Sequence, residues 1–306
     1  MSSHPQTHSM EFHCQFKTKK NINMKFVGII PARYASQRFP GKPLAILGGK
    51  TVIQRVVEQV KKVLDDVYVA TDDDRIFNAV AEFGGNAIMT STKHKSGTDR
   101  IEEAVEKLSE EYDVVINIQG DEPFIHESQI KELCRCFDDD NTQIATLGKP
   151  FTKDQDIVDL DNPNSPKIVR DNNGYAMYFS RSVIPYLRNV DHGEWLQNFN
   201  YLKHIGLYAY RRNVLKEITK LPQSSLEMAE SLEQLRWLQN GYKIKVGLTD
   251  VETVGIDTPA DLQRAEAFLT KNKGLILHHP NLLKGRNKLS KQTTNRPILS
   301  HICTIR

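Results

Sequence analysis

Several features that would define a protein class are missing from this 306-residue chain. No stretch approaches the roughly 18 consecutive apolar residues that cross a bilayer, so no membrane partner is expected. The four cysteines, Cys14, Cys134, Cys136 and Cys303, form no CxxC pair and no zinc-like spacing. With so few thiols, a reducing compartment is the simple reading. No GxGxxG follows the first apolar run, so a dinucleotide fold lacks its fingerprint. "GGKTV" (48–52) ends like a phosphate loop, but the first glycine of that motif falls on Leu44. Neither GxSxG nor HExxH occurs, which removes the main support for hydrolase and zinc-protease readings. The first 23 residues contain neither an apolar h-region nor an arginine, so neither a secretory signal nor a transit peptide is expected.

A net positive charge is also missing from the body of the chain. The net charge is +3, yet residues 271–306 hold eight Lys or Arg and no acid, and residues 1–23 hold three Lys and one Glu. Residues 24–270 carry 30 basic and 37 acidic side chains, about −7. An acidic body speaks against a nucleic-acid partner and makes any local cationic loop conspicuous. The composition of both ends predicts a disordered extension over 1–23 and a basic, disordered tail over 271–306. His4, His8 and His13 in the first can bind metal only adventitiously. Met24 stands directly before the first strand and is a candidate start.

What is present between those ends is alternation. Apolar runs at 25–31, 66–71, 86–90, 113–119 and 144–150 read as buried strands. Helical spacing recurs over 51–64, 73–83, 97–110 and 127–138. That order means βαβ units and a mostly parallel sheet covered on both faces. Residues 151–220 are strand-rich and irregular and read as an inserted mixed subdomain. A helix over 226–239, a strand over 242–248 and a last helix over 258–270 complete the pattern.

"IIPARYASQRFPGKPL" (29–44) places Arg33, Arg38 and Lys42 in a loop after the first strand. Ligands of open α/β sheets bind beyond the carboxyl ends of the strands. Three cations there suit a polyanion such as a triphosphate, and Gly41 allows close backbone approach. The same residues also suit a solvated turn. Asp121 in "INIQGDEPF" and Asp257 in "TVGIDTPADL" are carboxylates at strand ends, as a hard cation such as Mg²⁺ requires. Asp121 also reads as a turn residue and Asp257 as part of a helix N-cap. "ATDDDR" (70–75) has the form of a DxD metal motif, but acids crowding a helix start for its dipole are the preferred reading.

These segments, with "HKSGTDRI", "YAMYFSRSVIP", "LKHIGLYAYR" and "LEQLR", occur in an order that closely resembles the 3-deoxy-manno-octulosonate (Kdo) cytidylyltransferases from about Met24 to Leu269. The resemblance implies a GT-A-like nucleotidyltransferase fold with a mixed dimerisation and substrate subdomain, and a homodimer. It implies transfer of CMP from CTP to Kdo with Mg²⁺, in the cytoplasm of a Gram-negative bacterium, for lipopolysaccharide assembly. By position it implies that Arg33 and Lys42 hold the triphosphate, with Arg38 at the phosphates or the Kdo carboxylate. Ser96, Gly97 and Thr98 would line the cytidine pocket, and Asp121 and Asp257 would hold the metal. Gln119, Arg181, His204, Tyr208, Glu233 and Gln234 would form the Kdo pocket. Taken alone, His204 also reads as a packed histidine, Tyr208 as core, and Glu233 and Gln234 as helix surface. The rival readings are a sialic-acid-type cytidylyltransferase and a nucleotide-binding module without turnover.

Overall fold

The computed structural model describes residues 24–35, 38–94, 96–252 and 255–278, with side chains as far as residue 270. The expectations for 1–23 and for the chain beyond 278 lie outside the described residues.

Alternating apolar residues build the sheet. In β1 (Phe26–Ala32), Val27 and Ile29 enter one buried cluster, while Ile30 and Ala32 enter the other. A period of two sends neighbours to opposite faces, so a strand apolar throughout must be covered twice. β1 pairs in parallel with β4 (Val67–Thr71) and β6 (Val114–Asn117), and β4 with β5 (Asn86–Met89). On the other side of β6 runs the antiparallel β10 (Leu202–Arg211), then β7 (Ile144–Pro150) and β11 (Ile244–Leu248). The order is β11-β7-β10-β6-β1-β4-β5. β8 (Lys167–Arg170) joins β10, and β9 (Ala176–Ser180) joins β8, so the strand-rich insert extends the same sheet. A short hairpin, β2 (Ile46–Leu47) with β3 (Lys50–Thr51), lies apart from it.

One face is covered by α1 (Val52–Val60), α2 (Asp74–Glu82) and α4 (Glu127–Arg135). The other is covered by α3 (Gly97–Glu106), α7 (Arg212–Ile218) and α9 (Gln234–Gln239). α5 (Ile157–Asp161) and α6 (Trp195–Asn198) belong to the insert, where Leu160, Trp195 and Tyr201 form a small cluster. α8 (Ser225–Glu230) precedes α9, and α10 (Pro259–His278) closes the described chain.

Five helix boundaries are corrected. The helix expected over 127–138 is α-helical to Arg135 and then tightens into a 3-10 turn over Cys136–Asp138. The helix expected over 226–239 is broken at Ser231, which sits in the left-handed region at φ 50°. The last helix continues to His278, past the point where apolar periodicity stops. Helices over 51–64 and 97–110 end earlier, at Val60 and Glu106. The reading of "ATDDDR" as a helix start holds: Asp73 caps α2 through Arg75 N, and Asp74 lies in its first turn.

Candidate active site

The described residues of the loop after β1 are held by internal contacts. Gly41 N donates to Tyr34 O at 2.9 Å, and the Arg75 guanidinium lies 3.3 Å over the Tyr34 ring. Gly41 adopts φ 71°, which a side chain would strain, and hands the chain to a short 3-10 turn at Lys42–Leu44. Pro43 is buried at its start. The Lys42 ammonium is thereby aimed back over the sheet edge.

The loop after β6 meets it there. A Cβ at Gly120 would stand 2.9 Å from Pro31 O, so only glycine lets this backbone pass against the end of β1. Asp121 follows at once. Its carboxylate accepts from Lys42 Nζ at 2.6 Å. Its backbone oxygen accepts from Ile256 N at 2.9 Å, which ties it to the residue before Asp257. Asp257 Oδ1 accepts from the same Lys42 Nζ at 3.2 Å and from Arg38 NH2 at 3.1 Å. Two carboxylates, from loops far apart in sequence, thus lie on one ammonium nitrogen.

Asp257 is free for this because Thr258 and Asp261 cap α10. Thr258 Oγ1 accepts from Asp261 N at 3.3 Å, while Asp261 Oδ2 takes the backbone N–H of Thr258 and of Asp257. The N-cap reading therefore belongs to its neighbour. The ammonium between Asp121 and Asp257 marks a point where both carboxylates accept a cation. An all-oxygen, carboxylate donor pair suits a hard divalent ion. No group of three or more His, Cys, Asp or Glu that would enclose a metal occurs among the described residues.

Of the three loop cations, Lys42 and Arg38 converge on Asp257. Arg33 is exposed and carries no ion pair among the described residues.

α3 starts at the same edge. Ser96 Oγ accepts from Asp99 N at 3.1 Å, so this hydroxyl caps the helix. Gly97 stands by Pro31. Thr98 is buried and donates its hydroxyl to Glu233 Oε2 at 2.9 Å, across 135 positions of sequence. Sequence reasoning missed the role of Arg100 in the next turn. Its guanidinium is 1% exposed and donates to Asp72 Oδ2 at 2.7 Å and Thr90 Oγ1 at 2.6 Å. The available signal was an arginine on the same helix face as Thr98, Ile101, Ala104 and Val105.

The remaining expected residues gather around β10. This strand slips register between Ile205 and Tyr208, a bulge of the kind found beside sites. Thr146 serves it by lying 3.2 and 2.9 Å from the Ile205 and Leu207 carbonyls. The bulge exposes Gly206, whose oxygen accepts from Gln119 Nε2 at 3.3 Å. His204 lies 3.1 Å from Thr146 Oγ1, and burial pushes its imidazole down to about 3, so it is neutral at physiological pH. Tyr208 packs against His204 and edge-on to Trp237. Burial raises its phenol well above the usual range. Tyr208 Oη and Gln234 Nε2 are buried with no hydrogen-bond partner among the described residues, and buried polar groups normally have one. Glu233 borders Tyr208 and Tyr210, and its carboxyl pKa is raised chiefly by burial.

Arg181 is placed differently. Its guanidinium donates to the carbonyls of Glu230 (2.6 Å), Pro163 (2.9 Å) and Ser231 (3.3 Å). The structure thus gives it a holding function at the corner between β9 and α8.

A mostly parallel sheet with cations and paired carboxylates at its carboxyl edge is the architecture of a nucleotidyltransferase. The cytidylyltransferase family model matches residues 27–244. A 3-deoxy-manno-octulosonate cytidylyltransferase of Bacteroides thetaiotaomicron is 67% identical over 250 residues, covering 82% of this chain and 100% of that protein. One of Porphyromonas gingivalis is 54% identical over 248 residues, covering 81% and 98%. A solved CMP:2-keto-3-deoxy-manno-octonic acid synthetase complexed with CTP is 43% identical, with a TM-score of 0.74 over 81% of this chain and 99% of that one. The chain belongs to the cytidylyltransferase family and, within it, to the 3-deoxy-manno-octulosonate cytidylyltransferases.

Proposed function

We propose that the protein transfers CMP from CTP to Kdo, giving CMP-Kdo and pyrophosphate. The observation that carries the mechanism is the meeting of Lys42, Asp121 and Asp257 at the carboxyl edge of the sheet. The anomeric hydroxyl of Kdo attacks the α-phosphorus of CTP, the bond to the bridging oxygen breaks, and pyrophosphate leaves in line. Such chemistry rests on positioning and charge neutralisation more than on a covalent nucleophile. Arg33, exposed and without an ion pair among the described residues, takes a phosphate oxygen, and Lys42 swings from its carboxylates onto the leaving group. Gln119, His204, Tyr208, Glu233 and Gln234 orient the sugar acid, with neutral His204 serving as a hydrogen-bonding group rather than a charge.

Asp121 and Asp257 would hold Mg²⁺, which when bound supplies charge neutralisation at the phosphates and lowers the pKa of the sugar hydroxyl. A homodimer fits the exposed Met177 and Tyr186, 66% and 76% accessible, on the strand-rich insert. No helix among the described residues is long and apolar enough to cross a membrane. A cytoplasmic setting goes with the use of CTP.

The deciding experiment is CTP-dependent pyrophosphate release across a panel of sugar acids. Release with Kdo well above that with sialic acid is expected; release only with sialic acid, or CTP binding with no product, would overturn the reading. The same assay on residues 24–270 alone should retain the activity, since Phe268 and Leu269 still anchor α10 on Phe124 and the hairpin. A large loss in the soluble shortened protein would assign an end to the site.

Lys42→Ala and Arg33→Ala should each lower kcat/KM for CTP by about ten- to a hundredfold, the loss of a charge-assisted phosphate contact worth about 1.5–3 kcal/mol. Unchanged kinetics in both, with melting temperature intact, would return the loop to a purely structural role.

A further inference from the structure

One buried ion pair beside the site is left without a function by this mechanism. Arg236 Nε donates to Glu227 Oε2 at 2.8 Å and Arg236 NH2 to Glu227 Oε1 at 2.7 Å, with both side chains buried. Arg236 NH1 reaches Leu221 O at 3.2 Å. The same NH2 lies 3.4 Å from Glu233 Oε1, while Glu233 Oε2 holds the Thr98 hydroxyl. A continuous contact therefore runs from Glu227 through Arg236 and Glu233 to the first turn of α3.

The pair also accounts for the broken helix. Nine residues of straight helix separate their ends by about 13.5 Å along the axis, so Glu227 and Arg236 would never meet. The left-handed residue Ser231 folds α9 back on α8 and brings them together. Glu227 is itself fixed by the capping box it makes with Ser224. Replacing a buried ion pair by apolar residues is often neutral or stabilising, so stability alone does not explain its presence.

We propose that Arg236 is a positioning residue: locked on Glu227, it holds the Glu233 carboxylate in the wall between the nucleotide and sugar-acid halves of the site. This rests on the assignment of Glu233 to the sugar-acid pocket. The guanidinium favours the charged form of Glu233, against burial and against Asp99 and Glu227 nearby. Tyr208 and Tyr210 face the same carboxylate from β10.

The test is steady-state kinetics and thermal denaturation on Arg236→Lys, the paired variant Arg236→Met with Glu227→Gln, Glu233→Gln, and the triple combination. The paired variant removes both charges at similar volume, so neither is left buried alone. Expected are a rise of about tenfold in KM for Kdo, a change below about threefold in KM for CTP, and partial recovery in Arg236→Lys. The triple variant should be little worse than Glu233→Gln, because both act through one carboxylate. Should the paired variant fail to fold, Arg236→Lys carries the same comparison. An unchanged KM for Kdo in a folded paired variant, with Glu233→Gln impaired, overturns the proposal alone. Losses that multiply, or equal rises in both KM values, also overturn it. An unchanged KM in Glu233→Gln overturns the placement of Glu233, and the proposal with it.

Discussion

Asp121→Asn and Asp257→Asn should each remove most turnover, on the order of a hundredfold or more, while the protein stays folded. Both carboxylates lie at a partly open sheet edge, so an isosteric amide costs little in packing. An amide oxygen is a weaker ligand for a hard cation than a carboxylate. Several kcal/mol of transition-state stabilisation depend on the ion these residues are proposed to hold. Because both carboxylates meet one ammonium, they form one centre. The double variant should therefore be little worse than the worse single one. CTP binding should fall less than turnover, since Arg33 and Lys42 remain to grip the triphosphate. Raising Mg²⁺ should restore part of the rate in the single variants. Full activity of either single variant at low Mg²⁺ would end the idea, as would losses that multiply.

Arg100→Met should be the most destabilising of the substitutions considered. Arg100 is 1% exposed, and its partner Asp72 is held at the end of β4. Removing the cation leaves the Asp72 carboxylate without its partner in a largely dry site, and leaves the Thr90 hydroxyl only its bond to the Thr71 carbonyl. Breaking a buried pair from one side costs about 3–5 kcal/mol. For a chain of this size, that is roughly 2–4 °C of melting temperature per kcal/mol. Adding Asp72→Asn should recover part of the loss, because the stranded charge goes with it. Thermal denaturation of the two variants checks this. A shift in Arg100→Met no larger than that of an exposed arginine would show that the pair does not support the edge. The expected consequence for activity is indirect, through the first turn of α3, where Thr98 meets Glu233.

The sequence by itself determined the sheet and the edge that bears the site. Period-two and period-3.6 patterns are local signals, and the alternation of strands and helices admits few topologies. Once the strands are parallel, their carboxyl ends share an edge, so Arg33, Lys42, Asp121 and Asp257 could be placed near one another from spacing alone. The ordered motifs then named the chemistry.

Tertiary structure alone decided which groups touch. Lys42 and Asp257 lie 215 positions apart, Thr98 and Glu233 135, and no periodicity encodes such a pairing. Whether Asp257 capped a helix or faced a cation depended on Thr258 taking the cap. The break at Ser231 is hidden in the sequence because α8 and α9 together keep helical spacing; the fold-back shows in the left-handed Ser231 and in the Glu227–Arg236 pair. Arg181 carried the motif of a ligand residue yet spends its guanidinium on three backbone carbonyls, because the C-terminal end of α8 and Pro163 meet it there. Local sequence sets which way a side chain points along its own element; which partner it finds is a property of the packed whole.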